Sequence, residues 1–120
     1  MAEPPLDLAT LPEPLRARVA GVCAVPLHRF LGFTPLAVAP GRARARFAVG
    51  PDQAANLPWL HGGALQALMD VTAYLAVLAW LDDGQTASTV DFSATMLRAA
   101  PLGAVVEIAA AAERPGRSLI

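Results

Sequence analysis

The hydrophobic pattern divides the chain into stretches of different period. Between Gly62 and Leu81, "GGALQALMDVTAYLAVLAWL" is apolar at nearly every position, the pattern of a helix that is hydrophobic around most of its circumference. It predicts one long helix from about Gly63 to Leu81, with Gly84 after Asp82-Asp83 as its stop. Such a helix must be enclosed by protein or by lipid. Upstream, "FLGFTPLAVAPGRARARFAVG" predicts two strands around a turn at Pro40-Gly41. In the second of these, Arg42, Arg44 and Arg46 alternate with Ala43, Ala45 and Phe47, the period-two signature of a sheet wet on one side. Downstream, "TASTVDFSATML" and "AVVEIAAAAE" predict two further strands, "RPGR" a turn, and Ser118-Leu119-Ile120 the first residues of another strand. Leu15 to Val25 predicts a short helix, with Pro14 near its first turn and Pro26 ending it, and "GPDQAANLP" a loop. The organisation that follows is a proline-rich lead-in with a short helix over residues 1–26, then one domain over residues 27–120. Strands before and after a single greasy helix predict an α+β fold, an antiparallel sheet wrapped around one long central helix.

At 120 residues the chain is large enough for one modest core, and 55% hydrophobic with 16% charged residues argues for a globular protein. All nine basic residues are arginine, the net charge is −1, and the only local basic concentration is the alternating row Arg42, Arg44, Arg46. That row reads as the solvated face of a strand, so no nucleic-acid partner is expected. Lipid is also disfavoured. Gln66 and Asp70 fall inside the apolar span, and an aspartate costs an inserted helix ~2.5 to 3.5 kcal/mol. Cys23 is the only cysteine, which leaves no disulfide framework and no cysteine metal site. The acidic, proline-punctuated N-terminus is no secretory signal, so a cytoplasmic location is expected.

The candidate chemistry lies in "NLPWLHGGALQALMD", Asn56 to Asp70. A helix N-terminus offers unpaired N–H groups and a partial positive charge, and glycine there lets a substrate carbonyl approach the backbone. Gly62 and Gly63 are thus suited to polarise an acyl oxygen, as an oxyanion hole requires. The plainer alternative is that the glycines allow a tight turn into the helix, with His61 a cap or a packed ring. Asp70 is the only charge between Gly62 and Leu81, and Gln66, Asp70 and Tyr74 fall at i, i+4, i+8 on one stripe. A carboxylate among alanines and leucines is costly unless it is used or satisfied. It is either bonded by a neighbouring strand or acts as base or nucleophile. His61 and Asp70 are nine residues apart, ~13.5 Å along a helix and on opposite sides of it. One small acyl group cannot touch both in a single chain. A site using both must be shared between subunits, which predicts a dimer.

With "NLPWLHGG", Asp70 nine residues after His61, and "STVDFSATMLRAAPLG", the sequence resembles the hotdog-fold acyl-CoA thioesterases of the phenylacetate-degradation (PaaI-like) type, over roughly Pro35 to Ile120. The resemblance implies a hotdog fold and hydrolysis of an acyl- or aryl-acyl-CoA thioester to free acid and CoA, with no metal or other cofactor. It implies a homodimer or a dimer of dimers, in which the strand bearing Thr89 and Asp91 pairs with its mate. Position by position, Gly62 polarises the thioester carbonyl, Asn56 assists and His61 supports the site. Asp70 of the opposite subunit activates water or attacks, and Thr89 helps to place the water. Gly63 and Gln66 line the substrate site, and Arg98 and Arg117 fall where relatives contact CoA phosphates. Family members continue for about two more strands, so the domain is expected to be C-terminally incomplete, with an open sheet edge. Two competing readings are a non-catalytic acyl-CoA-binding module or truncated inactive homologue, and a hotdog dehydratase. The dehydratase would be expected to pair a histidine with a carboxylate in a different motif, and only His28 and His61 are available.

Overall fold

The structure, a computed structural model, describes residues 2–113 and 116–120. Its elements are helix α1 (Leu15–Cys23), helix α2 (Pro26–Phe30), strands β1 (Thr34–Ala39) and β2 (Arg42–Ala48), helix α3 (Gly62–Leu78) and strand β3 (Val105–Ala111). The strands form an antiparallel sheet in the order β1-β2-β3, whose inner face lies against α3. This is the α+β, sheet-over-helix architecture that the hydrophobic pattern predicts.

The β1–β2 hairpin turns at Pro40-Gly41 as expected. Along β2, Ala43, Ala45 and Phe47 are buried while Arg42, Arg44 and Arg46 point outward. The arginine row meets the chain's own acids. Arg44 donates from Nη1 and Nη2 to the Glu3 carboxylate at 2.9 and 2.7 Å, and from Nη1 to Glu107 on β3 at 2.9 Å. The hydrogen bond from Arg44 holds the Glu3 carboxyl below its ordinary range. These pairs are exposed and add little stability, but they lay the N-terminal segment across the wet face of the sheet, as does Leu6 N–H donating to Pro35 O at 2.9 Å.

The core has two parts, strung along α3. Leu11, Leu15, Val19 and Val22 from the N-terminal segment pack with Val71, Leu75, Leu78 and Ala43 toward the C-terminal half of the helix. Leu31, Phe47, Val49 and Leu68 pack toward its N-terminal half. Leu68 and Leu75 are fully buried, each worth ~1.5 to 3 kcal/mol relative to exposure. The buried face is Leu68, Val71, Thr72, Leu75, Ala76 and Leu78, whereas Ala73 is exposed and Asp70 and Val77 are half-buried. The helix is therefore covered on one side more than on the other.

Several expectations need correcting. The helix ends at Leu78 rather than Leu81, and Arg18 of α1 binds its last carbonyl and two carbonyls just beyond it. The guanidinium donates to Leu78 O at 3.1 Å, Leu81 O at 2.5 Å and Asp82 O at 2.9 Å, a cationic cap on the negative end of the helix dipole. Gly84, at φ +79°, sits in the following turn. Pro26 does not simply end α1; it also opens the short helix α2, where its missing N–H is not needed. "TASTVDFSATML" joins no sheet among the described residues. It runs from Gln85 to Leu97 without turn or bend, exposed and unpaired along α3. Ser118-Leu119-Ile120 begins no strand either, and the "RPGR" turn lies partly outside the described residues.

Candidate active site

The local sequence His61-Gly62-Gly63 has a specific geometry. His61 is the N-cap of α3, and its Nδ1 accepts a hydrogen bond from the Gly63 N–H at 2.9 Å. Each glycine makes room for a particular group. A Cβ on Gly63 would stand 3.0 Å from His61 Nδ1 and Cε1, in the way of the capping ring. A Cβ on Gly62 would stand 3.3 Å from Met96 Sδ and 3.4 Å from Met96 Cε. Gly62 is the first helical residue, and its N–H has no acceptor among the described residues.

The approach to this cap is built by Gln53, a buried residue that reads in the sequence as mere loop. Gln53 Oε1 accepts from Gly50 N–H at 3.0 Å, its Nε2 donates to Phe30 O at 3.3 Å, and its carbonyl accepts from His61 N–H at 2.8 Å. The only prior signal is a Gly-Pro-x-Gln spacing that lets a glutamine reach back three residues. Beyond it, Ala54 bridges Leu60, and Ala55 N–H donates to Trp59 O at 2.9 Å, so that Asn56 stands exposed near the loop tip. Among the described residues Asn56 makes no side-chain hydrogen bond.

Asp70 lies eight residues further along α3 than Gly62, ~12 Å at 1.5 Å per residue. It is half-buried, and Thr89 Oγ donates to its Oδ1 at 2.6 Å. The structure thus brings two of the expected site residues, Asp70 and Thr89, into contact. It leaves them about half the length of α3 away from Gly62, Gly63 and His61. The polar stripe is split. Gln66 Nε2 turns back to Gly62 O at 3.4 Å, while Tyr74 packs against the core. Arg98 and Arg117 are exposed and make no ion pair among the described residues. Half-burial pushes the Cys23 thiol up, which makes it a poor nucleophile at neutral pH. Among the described residues no group of three or more His, Cys, Asp and Glu is placed to hold a metal ion, and no helix is long and apolar enough to cross a membrane. A groove of about 400 Å³ beside Arg46 and Gln53 and another of about 360 Å³ between α3 and β3 contain none of the expected site residues.

An antiparallel sheet laid against one long helix, with a glycine-rich helix start and a lone helical carboxylate, is the arrangement of a hotdog-fold protein. The chain belongs to the thioesterase superfamily, whose family model matches residues 58–120. Solved structures agree. A phenylacetic acid degradation-related protein from Ralstonia eutropha is 27% identical with a TM-score of 0.74, over 86% of this chain and 80% of that one. Zebrafish thioesterase superfamily member 2 is 27% identical with a TM-score of 0.72, over 93% and 79%. A Haemophilus influenzae thioesterase, 21% identical, shares the fold at a TM-score of 0.72 over 96% and 74%. No curated protein matches the chain.

Proposed function

We propose that the protein hydrolyses an acyl- or aryl-acyl-CoA thioester to free acid and CoA, at a site shared between two copies of the chain. Membership of the thioesterase superfamily supports acyl-thioester hydrolysis in general, and the phenylacetic acid degradation-related neighbour supports an aryl-acyl group among the substrates. One observation carries the shared site. The straight segment Gln85–Leu97 touches Asp70 through Thr89 and Gly62 through Met96. It therefore connects the two halves of the chemistry within one chain while keeping them apart.

Two such segments pairing antiparallel about a two-fold axis near Phe92 and Ser93 bring the Thr89 end of one chain beside the Met96 end of the other. Asp70 of one copy then faces Gly62 of its mate, and each dimer has two such sites. Apolar Val90, Phe92 and Met96 alternate with polar Asp91, Ser93 and Thr95, the period expected of a half-buried strand. A dimer, or a dimer of dimers, is accordingly part of the proposal.

In that site the Gly62 N–H polarises the thioester carbonyl and stabilises the oxygen as charge develops on it. The Asp70 carboxylate takes a proton from water as the water attacks and the C–S bond breaks, the proton passing to the CoA thiolate; or it attacks the carbonyl itself, expelling the thiolate, and water then cleaves the acyl–Asp70 anhydride to free acid, restoring the carboxylate and supplying the thiol's proton. Thr89 donates to Asp70 Oδ1, which leaves its own oxygen free to accept from that water. The exposed Arg98 and Arg117 are the cations this reading assigns to the CoA phosphates. A CoA thioester substrate accords with the cytoplasmic location expected from the sequence. Incubation of the purified protein with a panel of acyl-CoAs and a thiol-trapping dye tests the reading. Release of CoA supports it; saturable binding without release favours an acyl-CoA-binding module.

A further inference from the structure

At the N-terminus of α3 one exposed side chain stands against Gly62. Met96 Sδ and Cε come within 3.3 and 3.4 Å of the position a Cβ would take on Gly62, so the thioether covers the helix start whose free N–H faces substrate in the thioesterase reading. Met96 is itself 48% exposed, a wall of the site and no part of the packed core. The surroundings are of one kind. Leu60 N–H donates to Ala100 O at 2.8 Å and Leu102 N–H to Pro58 O at 3.1 Å, while Trp59 bridges Pro101. These bonds gather Leu57, Trp59 and Leu102, all exposed, on the segments that flank this end of the helix. An unpaired N–H amid exposed apolar side chains matches the make-up of small-molecule sites, in which few polar groups orient a ligand and apolar ones fit its shape.

We infer that Met96 is the specificity-determining residue for the acyl group, and that the group it admits is apolar. The inference rests on the thioesterase reading and adds the substrate class to it. The carbonyl oxygen meets Gly62 N–H while the acyl chain runs past the Met96 thioether. The reach of that side chain then sets how much acyl chain fits. An unbranched, flexible methionine yields to ligands of different shape, so the natural profile is broad across linear and aryl acyl groups.

The test compares kcat/KM for acetyl-, hexanoyl-, decanoyl- and phenylacetyl-CoA in the wild type, Met96→Ala and Met96→Phe. Met96→Ala removes Cγ, Sδ and Cε and opens the wall; Met96→Phe stiffens it. One methylene of misfit changes discrimination ~10- to 200-fold, so the decanoyl-to-acetyl ratio should rise about tenfold or more in the alanine variant and fall by a similar factor in the phenylalanine variant. A general loss of structure lowers every substrate together and leaves this ratio in place. Should the alanine variant not fold, Met96→Leu and Met96→Phe give the same comparison. Ratios within about twofold of wild type in an active enzyme would overturn the role of Met96 and leave the thioesterase reading standing. A wild type that releases CoA from none of the panel would overturn both.

Discussion

Thr89 donates a hydrogen bond to the carboxylate of Asp70 at 2.6 Å, joining the unpaired segment Gln85–Leu97 to the one charged residue of α3. The bond satisfies one oxygen of a half-buried carboxylate and leaves the other available for chemistry. Asp70→Asn keeps the volume and removes the base or nucleophile. We expect kcat for acyl-CoA hydrolysis to fall at least a hundredfold with the thermal unfolding midpoint nearly unchanged. Retention of more than about a tenth of wild-type kcat, a loss below ~1.4 kcal/mol, would remove Asp70 from the mechanism. Thr89→Val, which deletes the donor at nearly constant shape, should cost roughly ten- to a hundredfold, in line with the ~1.5 to 3 kcal/mol of a hydrogen bond to a charged group.

The distance between Gly62 and Asp70 makes the shared site testable by complementation. Proline is tolerated at the first helical position, so Gly62→Pro deletes one N–H while leaving the helix able to form; for its Cβ alone Met96 must give by a few tenths of an ångström. Gly62→Pro and Asp70→Asn chains should each be inactive alone. Mixed after reversible dissociation, each heterodimer has one site with both groups intact, and activity near half of wild type per heterodimer is expected. Demonstrated heterodimers without activity would place both groups in one chain and defeat the two-chain arrangement.

His61 offers a separation of capping from proton chemistry. Its Nδ1 holds the Gly63 N–H at the start of α3. His61→Ala should therefore cost ~0.5 to 2 kcal/mol of stability, and His61→Asn, whose side-chain oxygen caps equally well, should recover it. If the imidazole only positions the helix start, His61→Asn keeps kcat within about tenfold of wild type. A loss as deep as that of Asp70→Asn, in a variant of normal stability, would show that the ring itself handles a proton.

What the sequence reveals of this molecule is local or periodic. The apolar run of α3, the alternation Arg42–Phe47 and the isolation of Asp70 each follow from spacing alone, and all three lead to the observed sheet over a helix. The isolation of Asp70 calls for a partner from a neighbouring segment, and the family resemblance gives Thr89 a role in the same site, but nothing in the spacing of residues 70 and 89 marks their contact. Other features depend on chain segments meeting at long range. Arg18 caps the end of α3 from about 60 positions away in sequence, through its bond to Leu78 O. Met96 and Gln53 have ordinary local contexts, and their roles come from what they lie against. The segment Gln85–Leu97 shows the limit from the other side: its alternation is that of a strand, but a strand needs a neighbour, and none of the described residues supplies one.

Gly41 is the position at which a single methyl group should cost most. It turns the β1–β2 hairpin at φ +77°, and a Cβ there would fall 2.6 Å from Trp80 Cζ2 and 2.8 Å from Cη2, too close for any side-chain carbon. Its backbone is bonded on both sides, with its N–H donating to Ala76 O of α3 and its carbonyl accepting from Ala112 N–H, each at 2.8 Å, so the turn cannot move away without loss. Gly41→Ala combines a left-handed backbone penalty of ~1 to 2 kcal/mol with an overpacking cost of ~1 to 3 kcal/mol. The two are separable. Trp80→Leu in the same chain removes the ring and should return the overpacking part while the backbone part persists, giving a coupling energy of about 1 kcal/mol or more in a double-mutant cycle read by chemical denaturation. A Gly41→Ala chain within ~0.5 kcal/mol of wild type would mean that Trp80 does not pack on this turn in solution.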